Sequence, residues 1–218
     1  MNTFTCMRSA TVLILILNYW KKFYKMDFYP VLENKRVLLR PLQPADVETL
    51  LPVAVQPPLW KWGIQTITQQ SELEQYITKA VGERERQESI PFLIFDKQAN
   101  RAAGCTRFMA VVPVHKRAEI GATWIDTTLH GSGLNKAMKY AMLQYGFEVM
   151  GLNRIELKTD ELNTQSRNAI RSIGCTQEGI FRHHMIVPGN RLRNTVYFSI
   201  LKEEWPEVKQ RVFAKYNF

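Results

Sequence analysis

The run His130-Gly131-Ser132-Gly133-Leu134-Asn135-Lys136 has the residue types and spacing to hold an anion. It follows the apolar stretch Glu119-Ile120-Gly121-Ala122-Thr123-Trp124-Ile125-Asp126 and the linker Thr127-Thr128-Leu129. The order reads as a strand, a short glycine-bearing loop and the start of a helix. Glycine lets such a loop turn its N–H groups inward without a Cβ clash. The first N–H groups of a helix lack intrahelical acceptors and lie at its positive end, so a pyrophosphate suits the place. Lys136 adds charge there or points to solvent. Two glycines before a helix are equally an ordinary tight connection. The segment is no Walker loop, because no Gly-Lys-Ser/Thr follows. It is no dinucleotide fingerprint either, because no third glycine comes three residues on.

Other reactive side chains carry less pattern. Cys6, Cys105 and Cys175 are far apart and have neither zinc nor paired redox spacing. They read as buried or idle thiols of a reducing cytoplasm, and no metal is implied. His115 falls in a turn. His183 and His184 are neighbours on a strand, so only one of them faces any cleft.

These residues need elements to place them. Arg36-Val37-Leu38-Leu39-Arg40-Pro41-Leu42 alternates and reads as a first strand. Pro44-Ala45-Asp46 starts a short helix toward Val55, with proline in its first turn, and Gln56-Pro57-Pro58 breaks it. Leu59-Trp60-Lys61-Trp62 lies on a loop. A second helix opens at Ser71, a cap by residue type, and runs to about Gln87. Ile90 to Phe95 and Ala102 to Val112 are strands joined by a turn at 97–100. Glu119 to Asp126 is a strand, Gly133 to Met150 a long helix, Asn153 to Thr159 a strand, and Thr164 to Ile173 a helix ended by Gly174. A hairpin, Gly179 to Val187 and Leu192 to Leu201, and a terminal helix, Glu203 to Tyr216, close the chain. Hairpin strands, then strand–helix–strand–helix, then a hairpin argue for an α+β domain with a mixed sheet.

The chain has 218 residues, 45% apolar and 22% charged, enough for one domain with a full core. Its net charge of +9 fits either a mildly basic surface or a phosphate-bearing partner. Residues 1–25 hold Arg8, Lys21, Lys22 and Lys25 and no acid; beyond them the two signs are interleaved, which does not announce a nucleic-acid protein. Ala10 to Leu17 is about half the ~20 residues a spanning helix needs, so no stable membrane insertion is expected. Residues 1–25 read as an extension, either an interfacial segment or, the favoured reading, translation from an early start codon with Met26 the true start. The domain is then 26–218.

From about Val31 to Trp205 the chain resembles the GNAT superfamily of acetyltransferases, in the branch of the ribosomal-protein N-terminal acetylating enzymes. Their loop motif is Arg or Gln, two residues, Gly, one residue, then Gly or Ala. Here His130, Gly133 and Asn135 take those places, and the first and last depart from it. Pro30-Val31-Leu32-Glu33 with Arg36 to Leu42 resembles the opening strand, and Gly151-Leu152-Asn153-Arg154-Ile155-Glu156-Leu157 the strand beside the cofactor. Asn163-Thr164-Gln165-Ser166, Ile173-Gly174 and Glu178-Gly179 match the helix and turn that follow. Arg193 to Ser199 and Glu204-Trp205 match the closing strand and tail.

The resemblance implies a mostly antiparallel mixed sheet, helices on both faces, and a splayed strand pair holding acetyl-CoA, the cosubstrate. It implies transfer of acetyl from acetyl-CoA to a primary amine by direct attack. The cofactor would meet Trp124, Ile125, His130, Gly131, Ser132, Gly133, Leu134, Asn135 and Asn163, with the amides near Trp124 and Ile125 polarising the thioester oxygen. Glu119 becomes the candidate base, acting directly or through water; its plainer alternative is a surface carboxylate paired with Arg117 or Lys116. Asn163 is otherwise a helix N-cap. The superfamily's tyrosine position, seven residues beyond that asparagine, is Ile170, which has no proton to give. Ser166, three beyond it as in this branch, is the candidate partner of the CoA sulfur; otherwise it is a solvated helical serine. Trp60 and Trp62 could wall the acceptor pocket or pack under a loop. Asn194 stands where the branch often has Asp.

The reading is therefore a cytoplasmic N-acetyltransferase whose partner is an amine acceptor, a protein N-terminus or a small molecule, with a homodimer left open and no nucleic acid expected. Two alternatives stand. A non-catalytic CoA- or acyl-CoA-binding module is motivated by His130, Asn135 and Asn194. An RNA- or ribosome-associated binder is motivated by charge alone and ranks last.

Overall fold

The computed structural model describes residues 26–216 and 218. The expectations for residues 1–25 and Cys6 lie outside the described residues.

Eight strands form one sheet. They are β1 (Leu32–Glu33), β2 (Val37–Pro41), β3 (Ile90–Asp96), β4 (Arg101–Val112), β5 (Arg117–Ile125), β6 (Arg154–Asp160), β7 (Thr176–Val187) and β8 (Arg191–Leu201). Their spatial order is β1-β2-β3-β4-β5-β6-β8-β7. Every pairing is antiparallel except β5 with β6. That parallel pairing has three rungs: Arg117 with Arg154, Ala118 with Ile155 and Glu119 with Glu156. Beyond Glu119 the two strands have no further rung, so the sheet splits from Ile120 onward while β4 and β8 stay zipped to its two halves.

The helices are α1 (Val47–Ala54), α2 (Gln70–Glu85), α3 (Leu134–Gln144), α4 (Thr164–Arg171) and α5 (Trp205–Val208). Two apolar layers show which face each serves. On one, Leu50, Val53 and Ala54 of α1 and Leu73, Ile77 and Ala80 of α2 pack with Leu42, Leu93, Cys105 and Trp124. On the other, Leu134, Ala137, Met138 and Met142 of α3 pack with Ile94, Phe108, Ile120 and Ile155, joined by Trp205 and Val208. Alternate residues along the strands feed opposite layers, as the two-residue period requires: Leu93 faces one and Ile94 the other.

The differences from expectation lie at element ends. Ser71 is not the cap of α2, which begins from Gln69; Glu72 instead folds back to accept from the amide and hydroxyl of Thr68 at 2.6 and 2.9 Å. The long helix after the loop is α-helical to Gln144 and continues as a wider π turn, Tyr145–Val149. The terminal helix likewise passes from α5 into a π turn, Lys209–Phe213. Such turns insert a residue into the α ladder, and composition gives no sign of them.

β5 carries the irregularity that shapes the split. Between the rungs Cys105–Trp124 and Arg107–Gly121, β4 spends one residue, Thr106, and β5 spends two, Ala122 and Thr123, and Ala122 takes a φ of +46°. This is a bulge. An alanine held in the left-handed region pays strain that glycine would not.

Candidate active site

The segment after β5 is built as a sequence of tight turns. Asp126 caps the first: its carboxylate accepts from the Thr128 amide at 2.9 Å and from the Thr128 hydroxyl at 2.8 Å, and it pairs with Arg101. Gln56, from the end of α1, accepts from the amide and hydroxyl of Thr127 at 3.0 and 2.8 Å. Burial alone would raise the Asp126 carboxyl, but the Arg101 guanidinium, the Thr128 donors and Gln56 together bring it down to about 2. Arg101 also donates to Thr128 Oγ1 at 3.0 Å.

Behind this turn come Gly131 and Gly133 with φ of +77° and +89°, a conformation that glycine adopts without penalty. Ser132 is tied back through its amide to Leu129 O at 3.3 Å, and Leu134 donates weakly to Ser132 Oγ at 3.4 Å. The first intrahelical bond of α3 runs from Ala137 N to Gly133 O at 3.0 Å. Among the described residues, the amides of Gly131, Gly133, Asn135 and Lys136 therefore have no protein acceptor. Nothing lies within 4 Å of where a Cβ on either glycine would sit. The donors are orphaned and the two glycines have open space beside them, which suits a diphosphate. Leu134 itself is fully buried, so its side chain belongs to the core rather than to the loop.

His130 is exposed, and its Nε2–H donates to Ile125 O at 3.0 Å. Asp126 N bonds to Ala103 O at 2.8 Å, so the antiparallel alternation sends the Ile125 amide and carbonyl away from β4, toward the split. The same alternation turns the Trp124 backbone toward Cys105. The indole of Trp124 lies on the α1/α2 side against Trp60 (5.9 Å between centroids) and Tyr76 (6.1 Å), and its buried N–H has no acceptor among the described residues.

Glu119 sits at the vertex of the split. Its partner is neither Arg117 nor Lys116 but Lys158 of β6, whose Nζ donates to it at 2.8 Å; Arg117 lies near Glu156 instead, at 3.6 Å. Asn163 is the cap of α4, accepting from Ser166 N at 2.9 Å, and the Ser166 hydroxyl has no protein partner among the described residues. Ile170 is buried in the core. On the far side, Trp60 donates to Ala54 O at 2.8 Å, while Trp62 lies under the Arg191 guanidinium of β8 at 5.7 Å. The loop after α1 and the final hairpin thus meet. Asn194 bridges β7 and the turn after β6, accepting from His183 N at 2.8 Å and donating to Glu161 at 2.8 Å. His183 falls in a two-residue excess of β7 over β8, with a φ of +49°.

Sequence reasoning missed the struts. Arg36 grips the fully buried Asp96 through two bonds of 2.9 and 2.8 Å and reaches Ser132 Oγ at 3.2 Å, fixing the glycine loop from the turn ahead of β2. Lys136 is directed away from the loop, to the hydroxyl of Tyr216 at 3.2 Å. Asp96 and Asp126 stand at strand ends, and their arginine partners are 60 and 25 residues away in the chain, so no local pattern joins them. Among the described residues no cluster of His, Cys, Asp or Glu could hold a metal ion.

The residues present fit a CoA thioester: orphaned amides for a diphosphate, a split sheet for an extended arm, a carboxylate at the vertex, and a hydroxyl on α4 with no protein partner among the described residues. Comparison with known proteins agrees at the level of the family. Residues 36–176 match the family model for a GNAT acetyltransferase domain. The candidate ribosomal N-acetyltransferase YdaF of Bacillus subtilis (strain 168) is 28% identical over 79% of this chain and 94% of its own. Spermidine N(1)-acetyltransferase of Escherichia coli (strain K12) is 31% identical over 47% of this chain and 54% of its own. A GCN5-related N-acetyltransferase from Brucella melitensis superposes with a TM-score of 0.77 at 29% identity, covering 84% of this chain and 83% of that one. Because the family model spans more than half the sequence, and the fold it demands is the one observed, this chain belongs to the GNAT acetyltransferases and is an acetyl-transferring enzyme.

Proposed function

We propose that the enzyme moves the acetyl group of acetyl-CoA to a primary amine, a protein N-terminus or a small amine, by direct attack in the cytoplasm. The observation that carries this reading is the row of unpartnered amides at Gly131, Gly133, Asn135 and Lys136, at the head of a helix and beside a sheet split at Glu119. Acetyl-CoA supplies an activated acetyl thioester and a thiol leaving group.

The chain's own residues divide the work. The loop amides hold the diphosphate, and the positive end of α3 favours its charge. The Ile125 amide, turned into the split, donates to the thioester oxygen. Glu119 accepts the proton of the incoming amine through water, because Lys158 occupies one of its oxygens. Ser166 offers its free hydroxyl to the sulfur. Asn163 holds the start of α4, and so Ser166, in place. Trp60 and Trp62 wall the acceptor side, where the loop after α1 approaches the β7–β8 hairpin. The names of YdaF and the spermidine enzyme support these two acceptor classes.

The test is thiol release from acetyl-CoA with a panel of N-terminal peptides and polyamines. Turnover on one class, lost by at least a hundredfold in Glu119→Gln, is the expected result. Failure of acetyl-CoA to bind in calorimetry would defeat the reading.

A further inference from the structure

Lys139 lies on α3 and is 6% exposed, one of four buried Lys or Arg side chains among the described residues and one that no step above uses. Its Nζ donates to Thr123 Oγ1 at 3.1 Å, and that hydroxyl is 2.8 Å from Thr106 Oγ1. Thr123 stands four residues beyond the last rung between β5 and β6. The ammonium is therefore held under the open part of the sheet, where an extended thioester would run. No carboxylate among the described residues lies within ion-pairing distance of it. The titratable groups that face it are Glu119 from β5 and the buried Cys175 thiol ahead of β7; Thr106 of β4 and Met142 of α3 bring no charge. Lys158 of β6 approaches the same vertex but is engaged by Glu119 and lies at 3.6 Å from Glu156.

A buried ammonium with one neutral partner is costly, and lysines kept in such places commonly do chemistry. Burial pushes this amine down to about 8, with Cys175 and Glu119 pulling the other way. That is close to the ordinary range of a thiol, so a proton passes between nitrogen and sulfur with little driving force against it.

We propose that Lys139 stabilises and protonates the departing sulfur of CoA. This rests on the acetyl-CoA reading above. As the acceptor nitrogen bonds to the acetyl carbon, the C–S bond breaks and its electron pair stays on sulfur. A proton moves from Nζ to that sulfur, leaving Lys139 neutral. The surplus proton of the acceptor nitrogen leaves through Glu119 and water, and Lys139 regains a proton from water. An amine and a thioester become an amide and a thiol.

The test uses CoA itself and the full-length protein. Calorimetry measures binding, and the ultraviolet absorbance of the thiolate, followed across pH, measures ionisation of the bound thiol. In the wild type, bound CoA should be about tenfold richer in thiolate than free CoA at the same pH, a shift of about one pKa unit. Lys139→Met should abolish that enrichment with the CoA dissociation constant changed less than threefold. Lys139→Arg should keep it. Equal thiolate in wild type and Lys139→Met, or loss of the enrichment in both variants, overturns the proposal. CoA that fails to bind the wild type overturns the acetyl-CoA reading and this proposal together, whereas CoA that binds with an unchanged thiol overturns this one alone.

Discussion

Asp126 shows how one side chain can govern the loop that follows it. It satisfies the Thr128 amide and hydroxyl, holds Arg101, and sits one residue from the Ile125 amide that turns into the split. Its folded-state pKa of about 2 lies below the ~3.9 of an unfolded aspartate. The stability it contributes is therefore whole above about pH 4 and disappears as pH falls through about 2. Asp126→Asn should remove that acid-dependent component from urea unfolding curves measured between those limits, and should weaken CoA binding about tenfold by loosening the turn. Unchanged pH dependence would mean that the carboxylate is not the group responsible. Gly133 makes a second residue-scale case. At a φ of +89°, with open space around its missing Cβ, the cost of Gly133→Ala is backbone strain alone. That is about 1 kcal/mol of unfolding free energy. Gly133→Asn should cost less, since asparagine tolerates the left-handed region.

At the level of elements, the split depends on β4 and β5 staying in close register where β5 bulges. Gly104 has a φ of +144°, and a Cβ there would come within 2.0 Å of Trp124 O. The obstacle is backbone, so it cannot swing aside. Gly104→Ala should destabilise the protein by about 3 kcal/mol or more and depress acetyl transfer beyond what stability explains, because it pushes on the stretch that presents Ile125. Denaturant unfolding together with acetyl-transfer rates checks both parts. The elements also mark how far the sequence could be read. The succession of strands and helices along the chain, the glycine loop and the cap at Asn163 were legible because alternation, glycine pairs and Asn before a helix are local signals. The bulge at Ala122 was not, because alanine carries no sign of a positive φ. The pairing of Glu119 with Lys158 was not, because it depends on β5 and β6 lying parallel, 39 residues apart in the chain. Lys139 was passed over within the helix, because only the packed structure shows that its face is the buried one.

For the molecule as a whole, the two apolar layers share the central strands, with Leu93 and Ile94 of β3 feeding opposite sides. Residues 26–218 should therefore unfold as one unit, and a ligand gripped at the split should stabilise both layers together. CoA at a hundred times its dissociation constant should add about 2.7 kcal/mol, raising the thermal midpoint by about 5–10 °C. Two separated transitions, with CoA moving one of them, would contradict this. Among the described residues no helix is long and apolar enough to cross a membrane.

The most direct test is an amide NMR titration that follows Gly131, Gly133, Asn135 and Lys136 as CoA is added, beside the same titration with pantetheine, which lacks the diphosphate. If those N–H groups grip phosphate oxygens, CoA should move all four resonances strongly and pantetheine should leave them nearly unmoved while still shifting Ile125. Resonances that stay still at saturating CoA, or that respond equally to pantetheine, would contradict it.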